Sequence, residues 1–422
     1  MSRPVIMPRA TPLGEKETCR VAVIDIGSHS IACAVAEMRP IRTPGIRTHR
    51  CSVLSYSAQR SAGVKGGLIV DAAAAADTVR SVVDAAERGA RATITSVVVG
   101  TTCGRLASER LSADVPLPGD YVRDADVSKV FTVAAGIASG GERVTLHALP
   151  AGFALDGQRG IVEPVGMRAD LLTADMHLVT AEGGPIANLI DCIESCQLGV
   201  EAIVASPYAS ALAVLSDDEI EHGATVIDLG GGTTTVASFD GGALSYVDAI
   251  ALGGEHITRD ISRVLRQSMA QAERLKVLQG NAFAPVADYD SLSDAFDSED
   301  LSHEEKLGEA VRSRSEEIFD LVKQRLDRAG SDGALSRVVL TGGGSQLSGM
   351  AELAQSILGS HVRLGRPQNI YGSESATGPA AATLAGLCQY PTFASRERFG
   401  SGAMSGAGGY WSRFGEWIRE SF

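Results

Sequence analysis

Two hydrophobic runs in this chain end in the same way. Val21-Ala-Val-Ile-Asp25-Ile-Gly27-Ser28 and Val226-Ile-Asp228-Leu-Gly230-Gly231 each close a β-forming stretch with Asp, an apolar residue, Gly and a small residue, and their aspartates stand 203 positions apart. A run of β-formers broken by Gly and small hydroxyls reads as strand, tight turn, strand. The same signal at domain-sized separation predicts a duplication, two α/β halves built on one plan. At 422 residues the chain has room for both halves and for insertions into them.

The turns themselves point to anion chemistry. Glycine permits close backbone approach and positive φ, so successive N–H groups can converge on a phosphate. Asp25, Gly27, Ser28 and His29 form one such turn; Asp228, Gly230, Gly231, Gly232, Thr233 and Thr234 form the second. Asp25 and Asp228 suit a Mg²⁺ whose remaining ligands are water and phosphate. A third Gly-rich junction, Thr341-Gly342-Gly343-Gly344-Ser345, follows the β-formers Val338-Val-Leu. One turn of this kind is a weak signal, whereas three on one chain are specific. The chain has no GxxxxGK[ST], and the third turn lacks the last Gly of GxGxxG, so P-loop and Rossmann readings fail.

Composition removes other classes. Asp+Glu number 51 against 38 Lys+Arg, a net charge of −13, which argues against nucleic acid as a partner. Seven scattered cysteines include no CxxC; Cys192 and Cys196, four apart, have no second pair and read as structural, reduced thiols. The eight histidines show no HxH or HExxH spacing. The N-terminus has no signal-peptide core, and the longest apolar stretch, Ala202 to Leu215, is too short for a bilayer. The expectation is a soluble or peripheral protein.

Periodicity predicts helices over Asp77–Arg91, near Asp124–Ile137, over Ile186–Gln197 with Gly199 as a left-handed stop, over Ala209–Leu215, Glu255–Gln279 and Glu304–Arg328. Strands are expected at Ile94–Val99 and Val200–Ala205, and the run Ala72–Ala76 reads as a helix start. The acidic stretch Asp288–Glu305, with Asp294, Asp297, Glu299 and Asp300, reads as a solvated loop. Residues 391–409 are a polar Gly/Ser-rich linker with a mean span of about 24 Å. Beyond it, Tyr410, Trp411, Phe414, Trp417, Ile418 and Phe422 fall on one helical arc of about 140°, opposite Ser412, Arg413, Glu416, Arg419 and Glu420. Such a segment suits a membrane interface, held by apolar burial worth at most ~7–15 kcal/mol before ordering costs.

The paired D-x-G turns and the later TGGG turn resemble the actin/Hsp70/sugar-kinase superfamily. Within it, His147-Ala-Leu-Pro150, Phe153, Asp156, Gly160 and Pro164-Val-Gly166, with the amphipathic C-terminus, are similar to the FtsA family of actin-like bacterial division proteins, from about residue 20 onward. The resemblance implies an α/β, actin-like, two-lobed fold of duplicated ribonuclease-H-like cores. It places a tail at 1–19 and a first core at 20–70 and 168–205, interrupted by an SHS2-type unit at 71–167. The second core is expected at 206–254 and 330–390, with a capping unit at 255–329 and a membrane helix at 410–422. ATP with Mg would lie between the lobes, with Gly342, Gly343, Gly344 and Ser345 under the adenosine. Glu273 and Lys276 match the family's ribose- and base-contacting pair, although spacing alone reads as a surface salt bridge.

The implied function is to polymerise and to anchor FtsZ, by its C-terminal tail, to the cytoplasmic face of the membrane at the division site, recruiting later division proteins. The tail would dock on the capping unit, near the acidic stretch. One departure bears on chemistry. Where the chaperone branch has an acid before Pro, this chain has Ser206, and a neutral hydroxyl cannot act as a general base at pH 7, so ATP turnover should be weak. A sugar kinase or exopolyphosphatase shares the turns but needs a catalytic carboxylate aimed at a substrate pocket. A pilus-assembly ATPase has a similar insertion but is not expected to end in a free amphipathic helix.

Overall fold

The computed structural model of the chain describes residues 18–41, 49–138, 143–283, 302–330 and 337–394. Strand β1 (Cys19–Ile26) runs antiparallel to β2 (Ser30–Pro40), and β2 to β3 (His49–Arg60). The strand starts inside the tail expected at 1–19, because Cys19 already pairs with Met38. A small hairpin, β4 (Val64–Lys65) and β5 (Leu68–Ile69), leads to helix α1 (Ala72–Ala90). Ala72 does open the helix, and the Asp71 carboxylate caps it by accepting from Ala74 N–H, a contact worth about 1 kcal/mol. Val79, Val82, Val83 and Ala86, at helical spacing, are buried, and the helix packs on β2 and β3. The chain then enters β6 (Ser96–Thr101), parallel to β1.

A four-stranded antiparallel sheet interrupts this core. It comprises β7 (Ala107–Pro116), β8 (Arg143–Leu155), β9 (Gln158–Ile161) and β10 (Leu171–Glu182) in the order β7-β10-β8-β9, with helix α2 (Asp124–Ala138). Alternation along β10 separates two faces. Leu172, Ala174, Met176 and Leu178 share a core with Val127, Val130 and Phe131 of α2, while Val179 and Ala181 join the main core. The edges expected for this unit, 71 and 167, both move toward the C-terminus. Helix α1 and β6 belong to the first core, and β10 is an inner strand of the insertion, since long-range pairing decides membership and local periodicity does not.

Helix α3 (Gly183–Glu194) stops sooner than expected. The left-handed residue is Gln197, with φ 62°, and not Gly199, which opens β11 (Gly199–Ala205) by pairing with Ser96. The Cys196 thiol donates to Ala76 O, 3.5 Å away, tying the turn after α3 to α1, and among the described residues no cluster of His, Cys, Asp and Glu suits a metal.

Helix α4 (Ser206–Val214) and short α5 (Asp217–His222) carry the chain into the second sheet, which repeats the first. Strands β12 (Ala224–Leu229), β13 (Thr234–Asp240), β14 (Ala243–Ile250), β15 (Arg337–Thr341) and β16 (His361–Leu364) lie in the order β14-β13-β12-β15-β16, matching β3-β2-β1-β6-β11. The capping region holds α6 (Gly254–Val264), α7 (Met269–Gln279) and α8 (His303–Ala329). The single helix expected over Glu255–Gln279 is therefore two. Arg266 turns left-handed at φ 53°, and Ser268 with Gln271 forms a capping box that starts a new helix.

After α9 (Met350–Leu358) and β16 the chain returns to the first lobe. β17 (Ile370–Tyr371) pairs with β3, and beyond short α10 (Glu374–Thr377), helix α11 (Ala382–Phe393) crosses α4. A Cβ on Gly386 would stand 1.8 Å from Ala209 O, so only glycine permits this crossing. The second core thus ends before residue 370, not at 390. Helix α11 also runs through Pro391, with Phe393 and Ala394 buried, so the linker does not begin at 391 as expected. The rest of that linker, the amphipathic segment with Trp411, Phe414, Trp417, Ile418 and Phe422, and residues 288–301 of the acidic stretch lie outside the described residues, while Glu304 and Glu305, expected in that loop, stand in the first turn of α8. The two passages between lobes lie side by side, since Gln368 donates from its backbone to Ala213 O (2.8 Å) and from its side chain to Val214 O (3.2 Å).

Candidate functional site

The three Gly-rich turns meet at one cavity of about 460 Å³ between the lobes. The duplicated turns are closed alike, by Gly27 N–H to Ser30 O at 3.1 Å and by Gly230 N–H to Thr233 O at 3.0 Å. They also nearly touch, for a Cβ on Gly231 would lie 2.5 Å from His29 Cβ, and one on Gly232 2.5 Å from Ser28 Cβ. Gly342 has φ 86°, and a Cβ there would stand 2.2 Å from Asp228 Oδ1. The third turn is thus pressed against the second at its aspartate.

Of the residues expected at the site, Asp25, Gly27, Ser28, His29, Asp228, Gly230, Gly231, Gly232 and Thr233 line the cavity. So do Glu273, Lys276, Gly342, Gly343 and Gly344. Thr234 and Ser345 do not. The Thr234 hydroxyl donates to Leu252 O at 2.8 Å and that of Ser345 to Gly342 O at 2.7 Å, and both are buried in the scaffold. Strand alternation from Thr234 explains the first, because it is Thr235, one residue on, that faces the cavity.

Asp25 and Asp228 end equivalent strands and face each other closely enough to interact. Burial, and then the Asp228 charge, push the Asp25 carboxyl up to about 7. Burial also raises Asp228, opposed by hydrogen bonds from Ser210 Oγ (2.6 Å) and Thr383 Oγ1 (3.2 Å). Two carboxylates held in this way favour a cation between them. The buried Thr235 hydroxyl has no hydrogen-bond partner among the described residues and lines the same cavity. A hydrated Mg²⁺ with phosphate would supply both the cation and the missing partner, so the donor set fits that group.

The Glu273–Lys276 pair is part of the cavity wall and no surface salt bridge. Lys276 Nζ, on a side chain only 12% exposed, donates to Glu273 Oε2 (2.8 Å), Thr258 Oγ1 (2.8 Å) and Gly254 O (3.0 Å). Burial alone would raise Glu273, but hydrogen bonds donated to it by Lys276 and by the Thr258 hydroxyl hold it below the usual carboxylate range. Across the cavity, His29 Nδ1 lies 3.4 Å from Glu255 Oε1, which raises the histidine and lowers the glutamate. Ser206 also lines the cavity. Sequence reasoning missed Thr102, Thr235 and Glu255 in the wall, and Ser210 and Thr383 behind Asp228. Single hydroxyls on unrelated elements leave no spacing signal; Ser206 and Ser210, four apart on a short helix, were the one legible trace.

A family model described as cell division protein FtsA matches residues 225–386, and one described as the SHS2 domain inserted in FtsA matches 103–180. Curated proteins named cell division protein FtsA are 42% identical in Rhizobium meliloti (strain 1021), over 99% of this chain and 98% of that protein. In Pseudomonas aeruginosa the identity is 32%, over 87% and 88%. Among solved structures, the PilM–PilN type IV pilus biogenesis complex matches 89% of this chain and 99% of its own with a TM-score of 0.59 at 16% identity, a likeness of fold.

Proposed function

Since this chain belongs to the FtsA family of cell division proteins, we propose that it is a nucleotide-dependent polymer that fastens FtsZ to the cytoplasmic face of the membrane. It is an actin-like cell-division protein. The convergence of three Gly-rich turns on one cavity with Asp25 and Asp228 opposed carries the nucleotide part of the reading. The turns after Asp25 and Asp228 would cradle phosphates by backbone N–H groups, and the two carboxylates would hold a Mg²⁺ through water. Bound there, Mg²⁺ would neutralise phosphate charge. Glu273 and Lys276 would meet the ribose and base, with Gly342–Gly344 beneath the adenosine. Ser206 presents a hydroxyl where an acid would drive hydrolysis, so the bound nucleotide would act chiefly as an assembly signal.

Partners follow from the family and from the segment 410–422. Its aromatic arc would lie in the lipid interface, weakly for one copy and firmly once a filament multiplies the contacts. The FtsZ tail would dock on the capping region, and later division proteins would follow. Two measurements test the reading on the full chain. Asp228→Ala should lower ATP affinity in the presence of Mg²⁺ at least about tenfold without unfolding the protein. Deleting 410–422 should abolish pelleting with lipid vesicles and leave ATP binding intact. Unchanged affinity in both Asp228→Ala and Asp25→Ala refutes the cleft assignment; a truncated protein that still pellets refutes the anchor.

A further inference from the structure

Among the described residues β11 is the outermost strand of the first core sheet, so one of its edges has no strand beside it. A buried N–H on such an edge needs another acceptor, and going without costs about 1–3 kcal/mol. At Ala205, fully buried, that acceptor is Nε2 of His147, 2.9 Å away on β8 of the inserted unit. Nε2 accepts there through its ring lone pair. The imidazole is 1% exposed and meets the rings of Tyr208 and Tyr390 edge-on, at 5.0 and 6.0 Å between centroids.

Ala205 is also the N-cap of α4, which has no side-chain cap of its own. The next residue, Ser206, lines the cavity, and Ser210, one turn further, donates to Asp228. A single hydrogen bond from the inserted unit therefore fixes the start of the helix that steadies a cleft aspartate. The inserted unit is seated on the second lobe as well. Ser108 Oγ on β7 accepts from Val247 N–H at 2.6 Å and donates to Val247 O at 3.1 Å on β14.

We infer that His147 is a positioning residue that couples the seating of the inserted unit to the cleft, acting through the Ala205 amide, α4 and the Ser210–Asp228 bond. The inference rests on the cleft being the nucleotide site. Coupling of this kind is reciprocal: what binds in the cleft steadies the insertion, and what grips the insertion tunes the cleft.

The test uses the full chain, Mg²⁺ and a fluorescent N-methylanthraniloyl ATP. His147→Phe keeps a ring but no acceptor and should weaken affinity about 5–30-fold. His147→Gln, which restores an acceptor, should stay within about threefold of the parent. Ser210→Ala should weaken binding too, and the double variant with His147→Phe should be no weaker than the worse single change, within about twofold, because both act on one helix. In the parent protein the nucleotide should slow hydrogen exchange over 205–214 and over 143–155 together. Parent-like affinity in His147→Phe, multiplying losses in the double variant, or protection of 205–214 without 143–155 overturns the coupling while the cleft stands. A parent protein that binds no ATP overturns the cleft assignment and the coupling with it. Where His147→Phe fails to fold, the exchange pattern of the parent alone decides.

Discussion

Replacing His177 with leucine should change how the protein answers acid. His177 lies on β10 opposite Leu149 and Arg110, is 1% exposed, and neither ring nitrogen has a hydrogen-bond partner among the described residues. Burial, and then the charge of Arg110, push its pKa from 6.5 down to about 4. The unfolded chain therefore binds a proton that the folded chain refuses, and stability falls as pH drops through 6.5 toward 4. At about 1.4 kcal/mol per pH unit, this one ring costs about 2 kcal/mol between pH 7 and 5, and about 3 kcal/mol by pH 4. Asp25, raised to about 7, works the other way, losing stability as pH rises from its unfolded value toward 7. The diagnostic is then the difference between variant and parent at each pH. His177→Leu should be more stable by about 1–3 kcal/mol at pH 7, having no unsatisfied nitrogens, and its advantage should grow by about 2 kcal/mol at pH 5. Urea unfolding followed by far-UV circular dichroism reads this. An advantage that does not change with pH would refute the argument that the buried ring resists protonation.

Gly386→Ala should destabilise by about 1–3 kcal/mol or more, because the new methyl meets the backbone carbonyl of Ala209 and no rotamer relieves it; an unchanged melting temperature would contradict the crossing of α4 and α11. Lys276→Met should lower ATP affinity about tenfold or more with little change in melting temperature, measured by calorimetry, and full affinity would remove the α7 pair from the site. Neutralising Asp294, Asp297, Glu299 and Asp300 together should slow association with an FtsZ tail peptide at low salt, and an unaltered on-rate would leave the acidic stretch without a part in recognition.

Much of the site was legible because its chemistry is local. A strand end, an Asp and a few glycines lie within ten residues of one another, and the duplication doubled the signal. What sequence missed is non-local. That α1 and β6 join the first sheet, and that β17 and α11 return to it, depends on pairings across tens to hundreds of residues. Arg266 broke an apparently continuous helix because its left-handed turn has no glycine to announce it. Thr235 was passed over in favour of Thr234 because a one-residue shift in register reverses which side chain faces the cavity.

The paired passages between the lobes would constrain any motion of one lobe against the other. One passage leaves a ball joint; two, bonded by Gln368 to Ala213 and Val214, leave a line. Rotation about a line gives every point the same angle but a displacement that grows with its distance from the line. A group wedged between the turns near Gly231 and Ser28 need shift them only slightly for the outer strands of each sheet to travel much further. A neighbouring subunit gripping both lobes would read the contents of the cleft as tilt, and by resisting that tilt would press back on whatever the cleft holds.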